Sequence, residues 1–500
     1  MASNQPASGR AAASAGVSGM ALYVPRLRVD LEPWCEWTKN TWDKVKSVVG
    51  QSFRVCPPRE NVYTMAANAV LRLILQYGID PKRVGFLGLG TESSTDNSAG
   101  AVIVRGMVDE ALSSTGMGPL SRNLEVPEFK HACLGGIYAL KAALRYVSSD
   151  GEGRLAIVVA GDIAEYERGS TGEQTQGAGA VAMLVEREPR MLRVDLTHAG
   201  SASAYRGPDF RKPFARHFMP DYAKGSKRGG DFPVFSGRYS TVAYLDEVVH
   251  AVDAMLEKVG TTDDEYYRSV RALFFHRPYR FMPIQAMSFL MVRAMARSAQ
   301  RRSELEALCA EAQVKVEAVV GEMRAHPDLY AALQRQKNPD DPYPAASAAA
   351  RLLRNDKAFR ELLATKMSLG GATAAHLGNL YCAALPAWIA AGVEEAQQKR
   401  LSMAGEPMVM VGYGSGDAAE AIPFSLVEGW EEAAKRIGTA DALADPIDLT
   451  RGQYEAIHDG VPGACPEYAP RKELVISRVG ARHEQDFQDL GVDYYEYVGG

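Results

Sequence analysis

The chain has 500 residues, 46% of them hydrophobic and 23% charged, with a formal net charge of −5. That is the composition of a globular protein with two ordinary domains or one large duplicated one, and its mildly acidic balance gives no reason to expect nucleic acid or an anionic membrane as partner. Its six cysteines include no CxxC pair, which argues against a disulfide framework or a structural zinc and fits a reducing cytosol; no apolar run reaches transmembrane length.

The chain opens with MASNQPASGRAAASAG, small and polar and without the apolar core of a signal peptide, so residues 1–15 read as a disordered leader. In GVSGMALYVPRLRVD a short apolar run stops at a proline, a strand followed by a turn. ENVYTMAANAVLRLILQYG has apolar residues at helical spacing and closes on glycine. RVGFLGLGTES is a buried strand that ends at Glu92. KHACLGGIYALKAAL opens a helix at Cys133, and LAIVVAGDIA and GAGAVAMLVE are further strands. The second half repeats the scheme. VRALFFHRPYR is a strand ending in His276-Arg277-Pro278, GGATAAHLGNLYCAALPAWIAAG a small-residue helix carrying Asn379, and EPMVMVGYGSGDAAEA a strand and glycine turn carrying Ser415. Apolar strands alternating with helices indicate an α/β protein whose sheets are covered on both faces. The repeat of strand, helix and strand points to two fused halves, 16–195 and 196–427. A Glu-, Arg- and Ala-rich stretch near 298–366, broken by KNPDDPYP, reads as a helical insertion. Residues 428–500 read as an extension whose LTRGQYEAIHDG is helical and whose ELVISRVG and VDYYEYV are late strands packing on the core.

Cys133 precedes Leu-Gly-Gly at a helix start. Unpaired N–H groups there favour a thiolate, Gly135 and Gly136 leave room for a substrate chain, and the Cys133 N–H could face a substrate carbonyl oxygen. The same residue reads equally well as a packing cysteine. Glu92 stands where a strand leaves the sheet, a position at which α/β active sites form, and burial there would raise its pKa for acid/base work; the competing reading is a turn glutamate facing water. His276 follows Phe-Phe into the interior as a neutral imidazole that donates or accepts, or as a satisfied core histidine. Asn379 reads as a site residue or as one bonded to local backbone, and Ser415 as part of a ligand-wrapping turn or as an ordinary loop serine. GxGxxG is approached but not met, which excludes a dinucleotide fingerprint. Taken together, these residues outline a site between the two halves.

The segments GTESSTDNSAG, ACLGG, GDIAEYERGSTGEQTQGAGAVAMLV, DFRKPF, FFHRPY, LGNLY and GYGSG, in that order, resemble the 3-hydroxy-3-methylglutaryl-CoA synthase family of the thiolase superfamily, in its bacterial form. The likeness runs from about Gly16 to Val427 and is weaker in the tail. It implies a thiolase-like duplicated α-β-α-β-α layered fold and an acyltransferase of the mevalonate route. Cys133 would carry the acetyl group, Glu92 would remove the methyl proton and protonate the alkoxide, and His276 would polarise acetoacetyl-CoA. The resemblance places Tyr166, Thr175, Ser240, Asn379 and Ser415 along the substrate site, with Pro278 shaping it. It implies coenzyme A thioesters as substrates, no cofactor or metal, a cytoplasmic homodimer, and neither nucleic acid nor membrane as partner. Leu134, Arg280-Phe281 and GNLYCAAL depart from the family pattern. Where the family places a lysine after the histidine, Arg280, Arg277, Arg211 or Lys212 is expected to hold the CoA phosphates. A relative that builds β-branches on acyl-carrier-protein-bound groups in polyketide synthesis, and a non-catalytic thiolase-fold scaffold, are the alternatives.

Overall fold

The computed structural model describes residues 15–94, 97–151, 153–207, 209–212, 232–234, 236–331, 341–470 and 472–499. The expected leader, up to residue 14, and the KNPD part of the insertion's breaker lie outside them.

The first half runs β1 (Ala15–Tyr23), β2 (Leu27–Asp30), α1 (Leu31–Thr38), α2 (Trp42–Val48), β3 (Ser52–Arg54), α3 (Val62–Tyr77), β4 (Val84–Gly90), α4 (Gly100–Ser114), β5 (Glu128–Phe129), α5 (Gly135–Ser148), β6 (Leu155–Ala164), β7 (Gly177–Arg187) and β8 (Leu192–Val194). The second half runs β9 (Gly200–Ser203), α6 (Gly237–Val259), α7 (Asp263–Ser269), β10 (Ala272–Phe275), α8 (Phe281–Arg297), α9 (Arg302–Glu311), α10 (Val316–Glu322), α11 (Pro344–Leu353), α12 (Lys357–Lys366), α13 (Gly371–Ala374), α14 (Ala384–Gln398), β11 (Pro407–Gly414) and β12 (Ala418–Leu426). The tail adds α15 (Glu431–Ala434), α16 (Thr439–Leu443), β13 (Ile447–Asp448), α17 (Arg451–His458), β14 (Glu473–Val479) and β15 (Asp493–Val498).

Local chemistry explains the clearest elements. α3 is opened by a capping box in which Asn61 accepts from the Thr64 N–H and Thr64 accepts from the Asn61 N–H, and it is closed by Gly78 at φ +60°. Every residue of β4 is buried, as a strand covered on both faces requires.

Ten strands form one sheet in the order β10-β11-β12-β8-β1-β7-β6-β4-β5, with β9 also paired to β12. The two halves share a pairing scheme. β4 is parallel to β6, β6 antiparallel to β7, and β7 antiparallel to β1. Likewise β10 is parallel to β11, β11 antiparallel to β12, and β12 antiparallel to β9. β8 bonds to both β1 and β12 and joins the halves. The parallel crossovers β4→β6 and β10→β11 pass through α5 and α14. α5 packs on β4 and β6, and its Leu134–Ile137 end also meets Gly412 and Gly414 of β11. The halves of the sheet therefore face each other across this inner helix layer, while α3 and α6 cover the outside. Among the described residues, no helix is long and apolar enough to cross a membrane.

Candidate active site

The chain reaches Cys133 through a tight turn. Ala132 has φ +41°, and the Leu134 N–H donates to the His131 carbonyl at 2.9 Å before α5 begins at Gly135. The two glycines do a different job from the one expected. A Cβ on Gly135 would lie 2.7 Å from the Phe129 carbonyl oxygen, and one on Gly136 would lie 2.7 Å from the Ala160 Cβ and 2.8 Å from the Cys382 carbonyl oxygen. The space is filled by other backbone, and no substrate chain fits beside these glycines. The thiol also departs from expectation. Burial pushes the Cys133 pKa well above its ordinary value, with the Glu92 and Asp162 carboxyls adding to the rise, and this outweighs the helix start.

Glu92 follows the end of β4, and its Oε2 accepts from the Cys133 thiol at 3.8 Å. Its pKa is raised to about 8, first by burial and second by the Asp162 carboxylate, against the pull of Lys212, the Cys133 hydrogen bond and Lys130. Asp162, on β6, is fully buried and was not singled out in the sequence; the only signal was its place in GDIAEYERG. Its Oδ1 accepts from Thr91 Oγ1 at 2.8 Å, the Glu92 N–H at 2.8 Å, the Ser93 N–H at 3.0 Å and Ser93 Oγ at 2.8 Å. Its Oδ2 accepts from the Cys382 N–H at 2.9 Å, on the second half of the chain.

His276 follows β10 as Glu92 follows β4. It is buried, and burial alone drops its pKa to about 3, so the ring is neutral at ordinary pH. Asn379 stands ahead of α14 as Cys133 stands ahead of α5, but it is not in a helix. The expected single helix is broken into α13, a loop, a 3-10 turn at Tyr381–Ala383, and α14. The loop is fixed from outside itself. Gly378 has φ +74° against the Gln176 carbonyl, and the Asn379 N–H donates to the Thr175 carbonyl at 3.1 Å.

A cavity of about 390 Å³ brings together Cys133, Tyr166, Thr175, Ser240, His276, Pro278, Asn379 and Ser415, with Phe210, Tyr279, Phe281 and Tyr381 supplying apolar wall. The Ser240 hydroxyl is buried without a partner among the described residues. The segment carrying Tyr166 and Thr175 is held by the tail. Tyr454 of α17 donates to Glu173 Oε1 and accepts from Gln176 Nε2, both at 2.8 Å, and His458 Nε2 lies 2.8 Å from the Tyr166 carbonyl oxygen. Behind Ser415, Asp209 and Asp417 both lie within hydrogen-bonding distance of the Tyr413 hydroxyl and the Gly416 N–H, and burial together with Asp209 raises the Asp417 pKa to about 9.

None of the four basic residues expected at the CoA phosphates lines this cavity. Arg277 is buried, stacks over Trp388 at 5.0 Å and, with Arg280, borders a separate cavity that shares no described wall residue with the first. Arg211 donates to the carbonyls of Asp209, Phe210 and Gly416, clipping the Ser415 turn. Lys212 is exposed, and its charge is felt by Glu92.

Two matched α/β halves, with a thiol, a carboxyl and an imidazole at strand ends and a helix start, make up a thiolase-like duplicated fold. Residues 12–189 match the family model described as hydroxymethylglutaryl-coenzyme A synthase N terminal. The hydroxymethylglutaryl-CoA synthase of Haloferax volcanii is 25% identical over 451 residues, covering 89% of this chain and 91% of that protein. The one from Enterococcus faecalis is 30% identical over 274 residues, covering 54% of this chain and 63% of that protein. Among solved structures, MvaS in complex with 3-hydroxy-3-methylglutaryl coenzyme A superposes with a TM-score of 0.74 at 24% identity, covering 97% of this chain and 99% of the other. The HMG synthase of the curacin biosynthetic pathway, in complex with holo donor-ACP, gives 0.68 at 19% identity, covering 97% and 100%. The likeness to hydroxymethylglutaryl-CoA synthases thus extends over most of the chain, and the family model is matched by its N-terminal part.

Proposed function

We propose that the protein joins an acetyl group carried on Cys133 to acetoacetyl-CoA and releases 3-hydroxy-3-methylglutaryl-CoA and free CoA. The contact between the Cys133 thiol and Glu92 Oε2, at the wall of a cavity that also holds His276, carries this reading. The Cys133 sulfur attacks the thioester carbon of acetyl-CoA, its proton passes through Glu92, and CoA leaves as the thiol. Ionised Glu92 then takes a proton from the acetyl methyl, and the resulting enolate carbon attacks the ketone of acetoacetyl-CoA. The neutral His276 ring donates to that ketone oxygen, and protonated Glu92 returns its proton to the alkoxide. Water cleaves the Cys133 thioester. Tyr166, Thr175, Ser240, Asn379 and Ser415 would orient the acyl chains, with Pro278 shaping the wall. The reaction so written runs on side chains alone, with CoA thioesters as substrates. A cytosolic setting suits the six free cysteines.

A second reading replaces CoA by a carrier protein as the handle. It is favoured by the absence of any charged side chain from the described walls of the reaction cavity and by the fold shared with the curacin-pathway synthase. Rates with CoA thioesters against carrier-protein thioesters separate the two. Incubation with acetyl-CoA should add one acetyl group, located by mass spectrometry on the Cys133 peptide. Acetylation that persists in Cys133→Ala would end both readings.

A further inference from the structure

A second cavity, of about 410 Å³, adjoins the reaction cavity; Thr241 of α6 and Gln285 of α8 belong to the walls of both. Its opposite side is α11 of the helical insertion, a segment outside the scheme shared by the two halves. Arg238, Arg351 and Arg354 border it, against one carboxylate among the described residues, Asp341, which lies 3.6 Å from Arg238. Among the described residues no carboxylate pairs with Arg351 or Arg354. Arg354 is not free to swing away from its neighbour. Its guanidinium stacks over Phe281, a wall residue of the reaction cavity, at 5.2 Å, and donates to Ser288 Oγ at 3.3 Å. Burial and the like charge of Arg351 both lower the Arg354 pKa, as expected for cations held close without a counter-ion. The C-terminal dipole of α11 favours cations there, but it does not require them to face a cavity.

We propose that Arg238, Arg351 and Arg354 hold the phosphate borne by the pantetheine arm of the incoming thioester, the arm passing Thr241 and Gln285 on its way to Cys133. This rests on the acyl-transfer reading above. Guanidinium groups suit a phosphate because each presents two parallel N–H donors to its oxygens. The insertion then has a function: through Arg351 and Arg354 it supplies charge that the described walls of the reaction cavity do not carry. The phosphate has two sources, the nucleotide end of CoA or the phosphodiester of a carrier protein.

Calorimetric titration with CoA, 4′-phosphopantetheine and pantetheine tests the proposal without requiring turnover. The wild-type protein should bind the two phosphorylated ligands at least about tenfold more tightly than pantetheine, the scale of one charge-assisted contact. Arg351→Gln and Arg354→Gln should each lose most of that preference, and Arg354→Lys should keep part of it. Arg351 is exposed, so its replacement does not threaten the fold. CoA binding more tightly than 4′-phosphopantetheine assigns the cluster to nucleotide phosphates, and equal binding assigns it to the phosphate next to the arm. A wild-type protein without the preference, a preference that survives Arg351→Gln and Arg354→Gln, or one abolished by Arg280→Gln would overturn the proposal. Wild-type acetylation of Cys133 by acetyl-pantetheine, run in parallel, reports on the acyl-transfer reading independently of any phosphate.

Discussion

Asp162 fixes the backbone at Glu92 and also tunes its proton affinity. By accepting from Thr91, Glu92, Ser93 and Cys382 it ties the end of β4 to the second half of the chain. Its charge adds to burial in raising Glu92 to about 8. A carboxyl with that pKa is mostly protonated at neutral pH yet ionises at little cost, which suits a group that must take a proton and give it back. Glu92→Gln keeps an acceptor for the Cys133 thiol and removes the ionisable carboxyl. It should still accumulate acetyl-Cys133, more slowly, while condensation with acetoacetyl-CoA falls by about 10²–10⁴-fold or more. Single-turnover acetylation and steady-state condensation, measured on the same preparation, check this; normal condensation would reduce Glu92 to a turn residue. Glu92 was visible in the sequence because it ends an apolar strand. Asp162 was not, because its importance lies in partners up to 220 residues away.

At the scale of elements, the strands were the legible part. β4, β6, β7, β10 and β11 are buried on both faces, so the sequence must write them as nearly continuous apolar runs. The helix read through GGATAAHLGNLY failed because its break is imposed from outside, by Gly378 against Gln176 and by Asn379 against Thr175. The tail was read as packing on the core, but nothing local in LTRGQYEAIHDG signals that Tyr454 and His458 support the loop bearing Tyr166. The glycines after Cys133 are visible as a motif, but the close approach that fills the space beside them depends on α5, β5, β6 and the Tyr381–Ala383 turn meeting in three dimensions. Gly136→Ala puts a methyl within 2.8 Å of the Cys382 carbonyl oxygen and 2.7 Å of the Ala160 Cβ. Overpacking of this kind costs about 1–3 kcal/mol. The urea midpoint should drop accordingly with the m-value unchanged. A variant as stable as wild type would mean that the inner helix layer can move apart to make room.

Across the whole molecule, the shared pairing scheme brings Glu92 and Cys133 of one half to the same cavity region as His276 and Asn379 of the other. The repeat of strand, helix and strand was enough to suggest two halves. It could not show that β8 would fuse them into one sheet, because a three-residue strand has no period to read. Burying titratable groups between the halves has a thermodynamic consequence that turnover assays do not see. The Glu92 carboxyl has an ordinary pKa of 4.5 and a folded value of about 8. Between those values the folded chain holds a proton that the unfolded chain has released, so stability present below pH 4.5 is lost as pH rises through 8. His276 has the opposite sign. Its pKa falls from 6.5 to about 3, so its contribution is present above 6.5 and is lost as pH falls toward 3. Glu92→Gln removes the first dependence and leaves the second. Near pH 4, where Glu92 is a neutral acid of almost the same shape, the variant and wild type should therefore unfold at similar temperatures. From pH 5 to 8 the variant should become progressively more stable than wild type, although it has lost condensation, as expected where a functional site is held at the expense of stability. Thermal unfolding of both proteins in steps from pH 4 to 9 measures the difference directly. A gap that stays constant across that range would place the Glu92 carboxylate in water in the folded chain and remove the physical basis for its raised pKa.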